Sequence, residues 1–329
     1  IVVPMRTTAF APNCASSSSA IAALGAPMPD DTTVKRAPPR VPVTTMNSRL
    51  RATSCASSSA AAIRSTRPGS PVSSTRVGGK MLAYAGRSNL KRVYNELGGK
   101  SAFVVFDDFA DVERAAKTAA GSMFFNQGES CNAPSRVLVH ERIADRFVEI
   151  VAAEAPKYRA ADPLDAGTEM GALVDEGQLK TVMGYIDAGK KEGARTVTGG
   201  TRARESSGGY YVEPTVFDRV DNGMTIAREE IFGPVMSVIR FKTEAEAIAL
   251  ANASAYGLQA SVWSDNLNRA HRVARALRAG TVHVNQYDED DITVPFGGYK
   301  QSGNGRDKSL HALEKYTELK TTWLRIDAA

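Results

Sequence analysis

Long apolar runs are absent from this sequence: nowhere do ~18 consecutive apolar residues occur, so no segment reads as a membrane-spanning helix. Cysteine is scarce. Cys14, Cys55 and Cys131 are the full complement, which is no disulfide framework. Two of them fall in an unusual head segment, so the globular part holds one, as suits a reducing, cytoplasmic compartment. No Cys/His pair stands at metal-ligand spacing, so no metal is expected.

Acidic residues are nearly missing from the head. Residues 1–77 hold nine Lys and Arg against Asp30 and Asp31 alone, a charge of +7. The whole chain of 329 residues carries +5, so the other 252 residues carry 32 basic and 34 acidic groups, a net of −2. The basic pI near 9.0 therefore belongs to the head. A nucleic-acid binder should show a basic face on its folded domain, and the charge balance excludes that class of partner.

The head also lacks aromatics and periodicity. Phe10 is its one aromatic residue, Ala, Ser and Thr fill 35 of its 77 positions, and nine of the chain's 15 prolines lie there. Such a segment cannot bury enough apolar surface to offset its ordering entropy. Residues 1–77 are therefore expected to be a disordered, low-complexity segment.

From Met81 onward short apolar runs alternate with amphipathic stretches. Strands are expected at Ala102–Phe106, Arg136–His140, Val235–Phe241, Ala260–Trp263 and Thr281–Val284. Helices are expected at Val112–Phe125, Ile143–Ala155, Leu179–Lys190, Glu244–Ala253 and Asn266–Leu277. This alternation points to an α/β fold with a mostly parallel sheet and flanking helices.

Two short segments concentrate chemistry. A lone cysteine is more often a small buried hydrophobe than a nucleophile. Cys131, however, lies in Phe124–Pro134 (FFNQGESCNAP), a polar loop closing an apolar helix, where reactive groups tend to be held. Glu96 opens ELGGK, a carboxylate before a Gly-Gly pair and a strand. It could be a plain turn carboxylate. Equally, the glycines permit close backbone packing that places Glu96 at the mouth of the sheet, where α/β proteins bind ligands.

ELGGK, FFNQGESC, Glu229–Val235 (EEIFGPV) and Pro295–Arg306 (PFGGYKQSGNGR) resemble, in order, four signature blocks of the aldehyde dehydrogenase superfamily. The resemblance runs from about Arg76 to Ile326 and spans about half of a typical member. It implies NAD(P)-dependent oxidation of an aldehyde to the carboxylic acid, with NAD favoured over NADP. Cys131 resembles the nucleophile that forms the thiohemiacetal and thioester, a task for a soft nucleophile that also leaves well. Glu96 resembles the base that activates the deacylating water, a task for a carboxylate whose pKa burial can raise. Glu230 and Phe232 resemble the pair holding the nicotinamide end of the cofactor, and Gln178 resembles a weaker ribose contact. The alternatives are a helix cap for Glu230, plain core for Phe232 and a surface helix position for Gln178. The four histidines (His140, His271, His283 and His311) match no catalytic role in the family and are expected to be structural.

Other family blocks are missing. There is no Pro-Trp-Asn-Phe-Pro for the second oxyanion donor and no Lys-Pro-Ser/Ala-Glu for the adenosine ribose. The phosphate loop survives only as Val72–Gly78 (VSSTRVG), in which Ser74 resembles the phosphate-contacting serine. The match fails inside a motif, which suggests that residues 1–77 derive from a shifted reading frame. An Arg- and Ser-rich transit peptide from Met5 is the competing reading. The domains expected are therefore 78–98 as a remnant of the NAD-binding domain, 99–297 as the catalytic domain, and 298–329 as a C-terminal helix and oligomerisation strand. A catalytically inactive fragment without the dinucleotide site is the alternative to an active enzyme.

The block Asp307–Thr321 (DKSLHALEKYTELKT) resembles the subgroup acting on gamma-glutamyl-gamma-aminobutyraldehyde and related ω-aminoaldehydes of putrescine breakdown. The acidic stretch Asp288–Asp291 would attract an amine-bearing aldehyde, or is a solvated loop. Glu318–Ile326 (ELKTTWLRI) resembles a strand that pairs across subunits. A homo-oligomer is expected of the full-length parent rather than of this chain.

Overall fold

A computed structural model describes residues 74–288 and 291–327. The head, residues 1–73, lies outside the described residues, including Val72 and Ser73 of the residual phosphate loop.

The first element is helix α1 (Ser74–Arg87). It corrects the expectation that disorder runs to residue 77. Val77, Met81 and Ala85 recur at helical spacing, and the helix is tied down where Gly78 packs against Leu97 and Thr75 Oγ1 donates to the Gln301 carbonyl at 3.2 Å. Then follow β1 (Ala102–Val105), α2 (Val112–Phe124), β2 (Arg136–His140), α3 (Glu141–Glu154), α4 (Glu176–Lys191), β3 (Arg195–Thr198), β4 (Thr215–Asp218), β5 (Val235–Phe241), α5 (Glu244–Asn252), β6 (Gln259–Trp263), α6 (Leu267–Ala276) and β7 (Thr281–Val284).

The strands form one sheet in the order β7-β6-β1-β2-β5-β4-β3. All neighbours are parallel except β3 and β4, which pair antiparallel at the edge. The central strand β1 is buried throughout, as a parallel strand covered on both faces must be. Its residues divide by alternation. Phe103 and Val105 join Val137, Val139 and Val238 beneath α2 and α3. Ala102 and Val104 join Leu138 and Ile239 beneath α4, α5 and α6. Side-chain caps define the helix starts: Asp111 accepts from Arg114 N at 3.0 Å, Asp175 from Gln178 N at 2.7 Å, and Asn266 from Arg269 N at 3.0 Å.

The carboxy-terminal segment departs from expectation. Residues 318–326 form no strand, and Trp323 and Ile326 are 92% and 82% exposed. A strand needs a partner for its backbone groups, and no other strand among the described residues lies against this one. The expected C-terminal helix is a single 3-10 segment, Leu310–Lys315.

Candidate active site

Gly98 to Lys100 lead into β1, Ala133 to Ser135 into β2, and Gly233 and Pro234 into β5. Glu96, Cys131 and Glu230 thus belong to loops at the amino-terminal edge of the parallel strands. Ligands of open α/β sheets ordinarily sit at the carboxyl edge, so the general rule that brought Glu96 to the mouth of the sheet points to the opposite mouth. The carboxyl edge carries ion pairs, such as Arg269 with Asp108 at 3.0 Å and Arg272 with Glu244 at 2.9 Å.

The Gly-Gly pair explains how the three side chains come together. The Gly99 N–H donates to Glu230 Oε1 at 3.0 Å. A β-carbon on Gly98 would collide with the Glu230 carboxylate, and one on Gly99 with the Cys131 carbonyl. Only glycine lets both loops close onto this turn. On its other flank Glu96 pairs with Gly303 across a short antiparallel ladder. A β-carbon on Gly297 would stand 3.1 Å from Glu96 Oε1.

Burial pushes the half-buried Cys131 thiol up in pKa, and the Glu230 and Glu96 carboxylates add to it. Both carboxylates are themselves raised, chiefly by desolvation. Lys315 and Arg306 pull Glu96 the other way, and the Gly99 N–H and Lys100 do so for Glu230. Lys315 also forms an ion pair with Asp307. Behind the site Lys100 is 2% exposed, and its ammonium nitrogen has no hydrogen-bond partner among the described residues. Desolvation and the Arg136 cation bring its pKa down to about 7.

The loop Phe125–Asn132 begins with three left-handed residues, Asn126, Gln127 and Gly128, with φ of 49°, 47° and 70°. Asn126 Nδ2 donates to the Glu129 carbonyl at 3.0 Å, and Glu129 Oε1 accepts from Val174 N at 3.1 Å. A cavity of about 580 Å³ lies beside the cysteine, walled by Phe125, Ser130, Asn132, Gln259, Asp288 and Phe296.

The other expected residues divide. Phe232 is not core: it is 39% exposed with φ of 54°, beside Glu230. Gln178 is half-buried on α4, and its amide donates to the Ile231 and Phe232 carbonyls at 3.0 and 2.6 Å. That contact props the loop carrying Glu230 and Phe232, a support that spacing alone could not reveal. Ser74 is exposed as the first residue of α1. His140, read as structural, accepts from Arg142 N at 3.3 Å and caps α3. His283, also read as structural, lines the cavity.

A doubly covered, mostly parallel sheet carries at its amino edge a half-buried thiol whose ionisation two nearby carboxylates oppose, which defines an α/β domain with a candidate cysteine site. A sequence profile described as the aldehyde dehydrogenase family matches residues 69–322, and the chain belongs to that family. It is 49% identical over 255 residues to the NADP/NAD-dependent aldehyde dehydrogenase PuuC of Escherichia coli K12, covering 78% of this chain and 51% of that protein. It is 48% identical to human mitochondrial aldehyde dehydrogenase, covering 77% of this chain and 48% of that one. Among solved structures it resembles the gamma-glutamyl-gamma-aminobutyraldehyde dehydrogenase of Burkholderia cenocepacia J2315, with 58% identity and a TM-score of 0.74 over 76% of this chain and 50% of that one. It also resembles an indole-3-acetaldehyde dehydrogenase complexed with NAD+, with 56% identity and a TM-score of 0.76 over 77% and 51% of the two chains. The chain thus spans about half the length of the relatives it matches.

Proposed function

We propose that this chain carries the catalytic half of an NAD(P)-dependent aldehyde dehydrogenase. The observation that carries the reading is the closure of the Cys131 and Glu230 loops onto Gly98 and Gly99, directly after Glu96. Cys131 Sγ, as thiolate, bonds to the aldehyde carbon, and the carbonyl oxygen becomes the alkoxide of a thiohemiacetal. The Cys131 N–H is one donor for that oxyanion. Loss of a hydride from the same carbon leaves a thioester. Glu96 then takes a proton from water, the water oxygen bonds to the acyl carbon, and Sγ departs as the acid is released.

The residues present suit the nicotinamide end of a cofactor. Glu230 offers a carboxylate fixed by one backbone N–H, and Phe232 offers an exposed ring on a loop propped by Gln178. Ser74, at the start of a 14-residue helix, suits a phosphate. A bound nicotinamide would supply the hydride acceptor, with NAD favoured. In this reading Gln178 acts through the loop.

For substrate we favour an ω-aminoaldehyde such as gamma-glutamyl-gamma-aminobutyraldehyde. The likeness to PuuC and to the Burkholderia protein supports this, as does the acidic loop beside the cavity. Asp288 is the member of that loop that lines the cavity. Asp291 accepts from Thr293 N at 2.7 Å, and Asp290 lies outside the described residues.

The half-length match favours a second reading: a chain that keeps the reactive thiol but does not turn over with NAD(P). Incubation with NAD or NADP and gamma-glutamyl-gamma-aminobutyraldehyde separates the two. The first reading expects reduced cofactor, abolished by Cys131→Ala. No reduction at all, with Cys131 still acylated by an ester, establishes the second.

A further inference from the structure

Three successive left-handed residues precede Cys131, and Gln127, neither glycine nor asparagine, makes the loop costly to hold by about 1 kcal/mol or more. Such a loop keeps its shape only if its surroundings over-determine it. The strongest restraints fall on Asn132, the residue after the thiol. Its Oδ1 accepts from Ser130 Oγ at 2.5 Å, its Nδ2 donates to Asp288 Oδ1 at 2.9 Å, and its carbonyl accepts from Tyr287 OH at 2.5 Å. Asp288 Oδ1 also accepts from Gln259 Nε2 at 3.0 Å, which fixes the carboxylate to the start of β6. The Tyr287 ring is buried against Phe103 and His283, with centroids 5.5 and 5.7 Å away. Asp288 itself stands at φ of 60°.

We infer that Tyr287 and Asp288 are positioning residues for the nucleophile: a two-point clamp that grips Asn132 and holds Cys131 in its half-buried place near the carboxylates. The clamp rests on Cys131 being the reactive thiol of the site. The hydrogen bonds of both residues reach Asn132. They act on the backbone and side chain of this neighbour of Cys131. Because Asn132, Gln259 and Asp288 also wall the cavity, the clamp joins the cavity to the nucleophile loop.

The consequence for the thiol has a definite sign. Burial is the largest influence raising its pKa, followed by Glu230 and Glu96. Releasing the clamp lets the loop swing outward and relieves all three; the backbone hydrogen bonds from Cys131 and Asn132 that favour the thiolate are each smaller influences, so the midpoint of thiolate formation falls. A fall of about one pH unit gives about tenfold more thiolate below the midpoint, and about threefold faster alkylation once the weaker nucleophilicity of a more acidic thiol is allowed for.

The test is the rate of Cys131 alkylation by iodoacetamide in the full chain from pH 6 to 10, read on the Cys131 peptide by mass spectrometry. Circular dichroism and the melting temperature confirm the fold of each variant. Tyr287→Phe keeps the buried ring and loses only the hydroxyl. It should label faster than wild type with a lower midpoint, as should Asp288→Ala. Asp288→Asn keeps an oxygen acceptor for both amides and tolerates the left-handed backbone, so it should restore the wild-type profile. Folded Tyr287→Phe and Asp288→Ala with wild-type rates and midpoints would overturn the clamp, as would Asp288→Asn matching Asp288→Ala. A wild-type Cys131 that never labels would instead sink the nucleophile assignment, and the clamp with it.

Discussion

Burial and two carboxylates, Glu230 and Glu96, oppose ionisation of the Cys131 thiol. Glu230 exerts the larger of the two charge effects. Glu230→Gln removes that charge while keeping an acceptor for the Gly99 N–H, so the pH midpoint of iodoacetamide labelling should fall. Glu96→Gln should lower it by less. An unchanged or higher midpoint in both variants would mean that the carboxylates do not face the thiol. Lys100 provides a second pH signature. An ordinary lysine titrates near 10.5, and this one near 7. Unfolding therefore takes up a proton between those values, and stability should rise as pH rises from about 7 to 10. Below pH 7 the full cost is present, a few kcal/mol on the usual scale. Lys100→Met should be more stable than wild type at pH 6 and flatten the stability profile above 7. Parallel denaturation profiles for the two proteins across that range would contradict the buried, unpaired amine.

At the scale of elements, the sheet was largely legible. Strands β1, β2, β5, β6 and β7 are dense apolar runs, and they fall within a residue of their expected bounds. The edge pair β3 and β4 escaped, because RTVT holds one apolar residue in four and TVFD only two beside a proline. FFNQGESC and ELGGK single out Cys131 and Glu96 as candidates, and Asp288 stands out only as part of an acidic stretch, whereas the contacts of Asn132, Tyr287 and Gln259 leave no mark in the sequence. Those contacts run across 155 positions from Tyr287 to Asn132 and 29 from Gln259 to Asp288, which no local spacing encodes. His283, which reads as structural, also lines the cavity, a tertiary property that spacing does not carry. Glycine supplies a test at this scale. Gly99→Ala puts a β-carbon into the Cys131 carbonyl, a backbone atom that cannot move aside cheaply. Gly79→Ala, inside the exposed α1, meets nothing within 4 Å. The first should lower the melting temperature by an amount worth about 1–3 kcal/mol. The second should raise it, by up to about 1 kcal/mol. Equal effects would mean that the Gly-Gly turn does not bear the closure of the site.

At the scale of the whole molecule, the described residues give a mostly parallel sheet with both faces covered and a tail that covers nothing. Leu319, Trp323, Leu324 and Ile326 are exposed along residues 318–327, and an extended apolar segment without a partner invites association. Deleting residues 318–329 should reduce light scattering on concentration and shift the melting temperature by less than about 2 °C, because no core residue leaves with it. A large loss of stability would show that the tail is packed after all. Among the described residues no helix is long and apolar enough to cross a membrane.

The central claim is that Cys131 is the nucleophile, and an acyl adduct tests it most directly. The full chain is mixed with p-nitrophenyl acetate, quenched, and mapped by peptide mass spectrometry beside Cys131→Ala. The account predicts an acetyl group on the Cys131 peptide, a burst of nitrophenolate equal to the labelled fraction, and neither in the variant. Acetylation confined to other residues, or a variant that hydrolyses the ester as fast as wild type, would contradict it.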